Sequence, residues 1–423
     1  MKIFTSRIAV VAVAVFVVSA CDFEVTNPGP VQDPFLDDPS AVSAIVAGAR
    51  MGNSRTLRLN AFYTAELARE FTQVGSSSVP RLPTISGRSS IDDPNGANAI
   101  STARWVAEDG VERIRGILEG DFASSADAAE ALLWAGYANR QGGDYMCDAV
   151  IDGGEPQPSS VYYERAEEYF TEAIAVAGVA GETDMATAAR AARAAVRVSL
   201  GQWEQAVADA SQIPPDFVFQ APFFSDQQAN YNRVAWANNE SRTWSVWETF
   251  HEEYYLETGD ERAAWDTDPN FPFGDTSIQG EQRPWYFGLK WLGDNGANKN
   301  ISSGHEMLLI EAEAVLRQGH WEAAVDLINQ VRTSYLSHDT GEALEGWEVD
   351  NLEDAWTALK TERLVELWLE GRRLPDLRRW IKDDTPGDQV DMEGRYLCYP
   401  ISLAERETNP NVPMEPEFFH FQR

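Results

Sequence analysis

Two turns spelled almost alike do most to limit the folds open to this chain. Leu200-Gly201-Gln202-Trp203-Glu204-Gln205-Ala206-Val207 is echoed by Gln318-Gly319-His320-Trp321-Glu322-Ala323-Ala324-Val325. Each follows an amphipathic helical pattern, over Ala189–Leu200 and Glu306–Arg317, and opens another. The glycine is placed to end the first helix in a left-handed cap, and the Trp and Ala to lock the second helix against it. Units of this kind are helical hairpins that stack. The plainer alternative is that two unrelated hairpins share a turn. If Trp321 is a core ring, its truncation to Ala should cost roughly 3–5 kcal/mol.

The helix–Gly–x–Trp–x–x–Ala arrangement resembles tetratricopeptide repeats, whose helix pairs build a solenoid, although their strict period of roughly 34 residues is absent. Helical spacing begins at Ser40, where Val42, Ile45, Val46 and Ala49 share a face, and a second helix is expected around Ala61 to Phe71. Further Ala-rich helices are expected at about 101–119, 125–141, 160–178 and 185–200. Residues 75–100, rich in Ser, Pro, Gly, Asn and Asp, read as a long loop of the kind that often binds.

Residues 214–300 interrupt the array. Eighteen aromatic side chains fall between 217 and 291, punctuated by Pro, Asn, Asp and Gly, so regular helices should be short there. Most of those rings must hold an irregular lobe together, leaving two or three to meet a ligand. The fold class is therefore mainly α: tetratricopeptide-like helical hairpins with an irregular aromatic-rich lobe. Its expected divisions are 1–20, a signal peptide; 21–39, an extended tether held out of helix by Pro28, Pro30, Pro34 and Pro39; 40–213, an N-terminal helical region; 214–300, the lobe; and 301–423, a C-terminal helical region.

The compartment is written at the start. Lys2 and Arg7 precede an apolar run, Ile8 to Val18, that is too short to span a bilayer and has the form of a secretory signal. Val18-Ser19-Ala20-Cys21 resembles the bacterial lipobox, with Val where Leu is usual, and implies a lipid on Cys21. Two acyl chains anchor stably where one does not. Asp22 and Glu24 resemble the surface-export signal of some Gram-negative lipoproteins; in other bacteria an Asp beside the lipidated cysteine marks retention at the inner membrane. Cys147 and Cys398 are equally compatible with free thiols and with one bridge.

Net charge is −33, and because residues 1–20 contain Lys2 and Arg7 but no acids, the chain from Cys21 onward carries −35. Such acidity opposes nucleic-acid binding, which depends on Lys and Arg neutralising phosphates. No Walker phosphate loop, Gly-x-Gly-x-x-Gly or Gly-x-Ser-x-Gly occurs. His251-Glu252 and His305-Glu306 begin zinc-protease-like motifs, but Tyr255 and Leu309 stand where the second His is required. Carboxylate pairs such as Glu252-Glu253 carry no specificity among 67 acidic residues. The sequence asks for no enzyme, cofactor or metal. Glu362, Glu366 and Glu370, four residues apart, would repel unless cations face them, and Arg363, Arg372, Arg373, Arg378 and Arg379 are the nearest in sequence.

Ile310-Glu311-Ala312-Glu313-Ala314, Asn329-Gln330-Val331-Arg332, Glu362-Arg363-Leu364-Val365-Glu366-Leu367 and Glu370-Gly371-Arg372-Arg373-Leu374-Pro375-Asp376-Leu377-Arg378-Arg379-Trp380 closely resemble the C-terminal half of the SusD/RagB family. Tyr399-Pro400-Ile401 and Asn409-Pro410-Asn411 resemble its closing segment, with Ser402 in place of a second proline, and Cys21 to Pro30, with Asn27-Pro28, matches its beginning. The resemblance implies a non-catalytic, lipid-anchored outer-membrane protein facing the cell exterior. It would capture an oligosaccharide or other nutrient and deliver it to a SusC-like TonB-dependent transporter.

Ligand residues follow no fixed motif in that family, so candidates rest on chemistry. Trp244, Trp247, Tyr255, Trp285 and Trp291 could stack on sugar rings, and Arg81, Asn95 and Asn98 could bond hydroxyls. Two other readings compete: a helical-repeat envelope scaffold or protein-binding lipoprotein, favoured if the rings are all buried, and an all-helical glycoside-processing enzyme, which needs two cleft carboxylates.

Overall fold

The computed structural model describes residues 33–75, 87, 96–278 and 280–414. Cys21, Arg81 and Asn95 lie outside them. Among the described residues the helices are α1 (Val42–Leu67), α2 (Ala97–Leu118), α3 (Ala126–Tyr145), α4 (Ser160–Ala180), α5 (Thr183–Ser199), α6 (Trp203–Ala210), α7 (Arg233–Asn239), α8 (Phe250–Thr258), α9 (Gly304–Arg317), α10 (Trp321–Arg332), α11 (Leu352–Glu366), α12 (Arg373–Lys382) and α13 (Leu403–Thr408). Eight short strands pair two by two, all antiparallel: β1 (Thr72–Gln73) with β5 (Trp244–Ser245), β2 (Asp148–Ala149) with β3 (Gln157–Pro158), β4 (Val218–Ala221) with β8 (Lys299–Ser303), and β6 (Trp265–Thr267) with β7 (Tyr286–Gly288). The fold is mainly α with tetratricopeptide-like hairpins.

Both repeated turns form as read. Gly201 and Gly319 take φ of +75° and +83°, the left-handed cap that only glycine holds without strain. Gln202 and His320 then return their N–H groups to Arg197 and Val315, at 2.8 and 3.2 Å, before Trp203 and Trp321 open the next helix. The two hairpins stack: Ala191 and Ala194 of α5, Ala206 and Ala210 of α6, and Met307 and Ile310 of α9 share one buried cluster.

Trp321 itself is only half-buried, packed against a cluster whose centre includes Trp380. The core-deletion cost expected at Trp321 therefore belongs to Trp380, which is fully buried. Trp380→Ala is expected to cost about 3–5 kcal/mol, and Trp321→Ala clearly less, because only the covered part of its ring loses contacts. Urea unfolding of the two variants side by side measures the difference.

Small residues in α3 let its neighbour approach. A Cβ at Gly136 would lie 2.5 Å from the Phe170 ring of α4, and one at Gly143 would lie 2.6 Å from that of Tyr163. The two helices expected at the start merge into α1, 26 residues long. The helix runs on through Gly52-Asn53, where the buried Asn53 amide donates to the carbonyls of Ala49 and Trp134. The end of the stretch expected to be extended instead makes 3-10 turns, Asp33–Asp37 and Pro39–Ala41, because Asp33 and Asp37 accept Arg113 of α2 at 2.7 and 3.0 Å. Cys147 and Cys398 form a disulfide between the segment after α3 and the one before α13.

The glutamate stripe at the end of α11 is faced by cations, though not those nearest in sequence. Arg262 reaches Glu362 and Glu366, Arg332 approaches Glu362, and Lys290 meets Glu370, which lies just past the end of α11, while the His305 ring sits beside Glu366. Burial pushes the Glu366 carboxyl up, but the hydrogen bond from His305 and the charge of Arg262 outweigh it and set it at about 2. The neighbouring arginines serve other partners. Arg363 forks onto Asp376, Arg372 binds Glu306, Arg379 forks onto Glu313, and Arg378 donates to the carbonyl of Met146.

Candidate functional site: a polar cleft beside the aromatic lobe

The irregular lobe is stitched to the helical body by rings. Trp244 packs edge-on against Phe62 of α1 at 4.4 Å and gives its indole N–H to Glu66, while His251 stacks on Trp368 at 4.5 Å. Trp244 is 2 % exposed and Trp285 5 %. Neither offers a free face, so these two candidates build the lobe and do not present it. Both were chosen for residue type, and burial separates them from Trp247, which stays half-buried.

A cleft opens where α1 ends. The helix stops at Leu67, and Arg69 then takes φ of +58° to turn the chain into β1. Facing it, Arg242 and Glu248 also have positive φ, +48° and +56°, on either side of β5. Three non-glycine residues in this region around one ribbon are a local concentration of strain, the kind of feature that clusters at binding sites. The cavity holds about 290 Å³ and is lined among others by Glu66, Arg69, Gln73, Glu248, Arg283 and Arg395. That is close to the lower end for small-molecule sites, roughly 300–1,000 Å³.

Two of the three guanidiniums are fixed by the backbone around them. Arg395 donates through Nε to the carbonyl of Leu67 at 2.8 Å and through Nη2 to that of Glu66 at 2.6 Å, capping the orphan carbonyls of α1. Burial first and the nearby Arg69 charge second lower Arg395 to about 10. Arg283 donates Nη1 to the carbonyl of Gln73 at 3.0 Å and lies 6.0 Å from the ring centre of Trp247. Cations over an indole face are weakly attracted to it.

From the cleft a run of half-buried rings leads along the ribbons. The Val246 N–H bonds the carbonyl of Tyr286, Tyr286 stacks on Trp265 at 4.6 Å and 13°, and Tyr255 meets Trp265 edge-on at 6.1 Å. The Tyr255 hydroxyl lies 3.0 Å from His338 Nδ1 and 3.3 Å from Asp339. Tyr286 and Trp265, two rings that composition could not single out, thus extend Tyr255 into a three-ring patch, and Trp247 neighbours it through the backbone bond of Val246. Trp291 is placed apart, beneath the ammonium groups of Lys290 and Lys299, and Asn98 lies half-buried in the first turn of α2. Arg69, Glu248, Arg283 and Arg395 escaped sequence reasoning, since they come from segments up to 326 positions apart with no shared spacing.

A second, more open groove of about 510 Å³ lies between α10 and residues 347–350, with Trp321, Trp347, Glu322, Asp326, Glu348 and Asp350 along it. No group of His, Cys, Asp or Glu among the described residues is arranged to hold a metal ion. No helix among them is long and apolar enough to cross a membrane.

Comparison with known proteins places this geometry. Residues 305–416 match the SusD family. A SusD superfamily protein of Bacteroides fragilis superposes with a TM-score of 0.64 at 14 % identity, over 89 % of this chain and 99 % of its own. A SusD/RagB family protein of Bacteroides thetaiotaomicron gives 0.64 at 15 %, over 87 % and 94 %. A SusD-like carbohydrate binding protein of Bacteroides vulgatus gives 0.60 at 15 %, over 88 % and 97 %. No curated protein matches the sequence significantly. Residues 305–416 thus match the SusD family, as the C-terminal motifs implied, and the chain has the fold of SusD superfamily proteins.

Proposed function

We propose that this protein captures a saccharide nutrient at the bacterial surface and passes it to a SusC-like TonB-dependent transporter, without chemistry of its own. The lipid on Cys21 anchors it to the outer membrane with its body outside. Residues 21–39 tether it, the helical regions 40–213 and 301–423 form a rigid frame, and 214–300 meet the ligand. The observation that carries this reading is the patch of half-buried rings Tyr286, Trp265 and Tyr255, with Trp247 beside Arg283 at a polar cleft that the lobe shares with the end of α1. Flat faces orient pyranose rings by stacking, and the flanking polar groups bond hydroxyls. Unpaired cleft carboxylates at hydrolytic spacing are not needed for this work.

The reading is tested in two measurements on the full chain. Oligosaccharides titrated into the protein are expected to change its tryptophan fluorescence, with Trp247→Ala weakening binding about tenfold or more. Affinity purification from its own membranes is expected to bring down a large β-barrel transporter. Absence of saccharide binding across neutral and acidic probes, or recovery of the protein with no barrel partner, would count against it.

A further inference from the structure

Long-range electrostatics in a chain of net charge −33 disfavour anions. The cleft at the end of α1 runs against that field. Three guanidiniums line it, and among the described residues no carboxylate oxygen pairs with Arg69, Arg283 or Arg395. Arg283 and Arg395 are fixed by carbonyls, which orient them without neutralising them, and Arg283 Nε and Nη2 and Arg395 Nη1 keep no protein acceptor among the described residues. Among the described residues the carboxylates lining the cleft, Glu66 and Glu248, are fewer than the cations; Glu66 already accepts the Trp244 indole, and it and Asp391 act on Arg395 only at longer range.

The position of Arg69 adds a second, independent reason. A residue at φ of +58° just past a helix end is where glycine or asparagine turns the chain at least cost. The chain holds an exposed arginine there, whose guanidinium makes no hydrogen bond among the described residues and lies beside a second cation, Arg395. The like-charge repulsion is relieved in part by an anion seated between the guanidiniums, and the strained backbone is what holds Arg69 at that place.

We propose that this cleft selects a saccharide bearing an anionic group, a uronate carboxylate or a sulfate ester, held by Arg69, Arg283 and Arg395 while the adjoining rings take the neighbouring sugar units. Planar guanidinium forks match such groups bidentately, and charge-assisted bonds are the strong ones. This inference rests on the saccharide-capture reading and narrows its ligand class.

The test uses calorimetric titration of the full chain with an oligogalacturonide, its methyl ester, a sulfated disaccharide and a neutral maltooligosaccharide. At least one anionic probe is expected to bind about tenfold or more tightly than the neutral ones, with affinity falling as salt is raised. Arg69→Asn removes the charge but tolerates the left-handed backbone, so the fold is kept, and circular dichroism checks it. That variant, and Arg283→Gln separately, should shrink the acid-over-ester ratio toward one. No preference for either anionic probe over the neutral ones, or an anionic preference that both variants leave intact, overturns the anion cleft while capture stands. Failure of every probe, neutral and anionic, overturns both.

Discussion

Replacing Cys147 and Cys398 with serine is expected to lower the unfolding free energy by about 5 kcal/mol. The bond joins positions 251 residues apart, so the reduced chain regains the freedom of a very long loop, and the chain-entropy relation grows with the logarithm of that length. Around it the backbone is already paired: the Cys147 N–H bonds the Tyr399 carbonyl at 2.9 Å, and the Tyr399 N–H bonds that of Tyr145 at 2.6 Å. Those contacts let the native state form without the bond, so the loss should show in stability more than in shape. Since whole domains are stable by roughly 5–15 kcal/mol, the serine variant should unfold at a much lower denaturant concentration. Thiol titration of the native protein gives the companion result, no reactive thiol at either position before reduction. Two reactive thiols, or a midpoint that reductant does not move, would reject the bridge.

What could be read in advance was local. The turns at Gly201 and Gly319 were legible because one positive φ and one Trp–Ala face fix a hairpin within a few residues. The division into two helices expected across α1 did not hold, and the polar Asn53 inside it finds a partner on α3. The same rule explains the glutamate stripe: its need for cations follows from spacing alone, but the cations that arrived, Arg262, Lys290 and Arg332, lie outside the motif. At the candidate site the two tryptophans of one short segment part ways. Trp244 meets Phe62 and Glu66, nearly two hundred positions earlier, and is lost to the core, while Trp247 three residues on stays half-buried. Residue type named the rings; only long-range contact could say which remain available. The arginine cleft was illegible for the same reason, being assembled from α1, the lobe and the segment after α12.

The other large effect is expected at Glu313, whose loss to alanine should cost about 3–5 kcal/mol. Its side chain is wholly buried in α9 and accepts four bonds: from Arg379 Nε at 3.0 Å and Nη2 at 2.7 Å, from Arg317 at 3.1 Å, and from the Trp380 indole at 3.1 Å. Burial pushes this carboxyl up, and the charges of Arg379, Arg363 and Arg317, with the Arg379 hydrogen bonds, more than offset it, so it stays below the usual carboxylate range. Alanine leaves Arg379, whose side chain is about 10 % exposed, with Asp376 as its one remaining ion-pair partner among the described residues, and a poorly compensated charge taken out of water is the expensive half of a broken pair. Glu313→Gln keeps the shape and an acceptor for the indole, so it should fall between wild type and alanine. The sign with pH follows from the lowered value. A carboxyl depressed on folding contributes fully above its unfolded pKa, and its contribution is lost as pH falls through the folded one. Wild type should therefore lose stability on acidification more steeply than Glu313→Gln, while the exposed Glu322→Ala stays within about 0.5 kcal/mol of wild type. Urea unfolding of these variants at neutral and acid pH measures both effects, and a Glu313→Ala curve that overlays the wild type would remove Glu313 as the pin between α9 and α12.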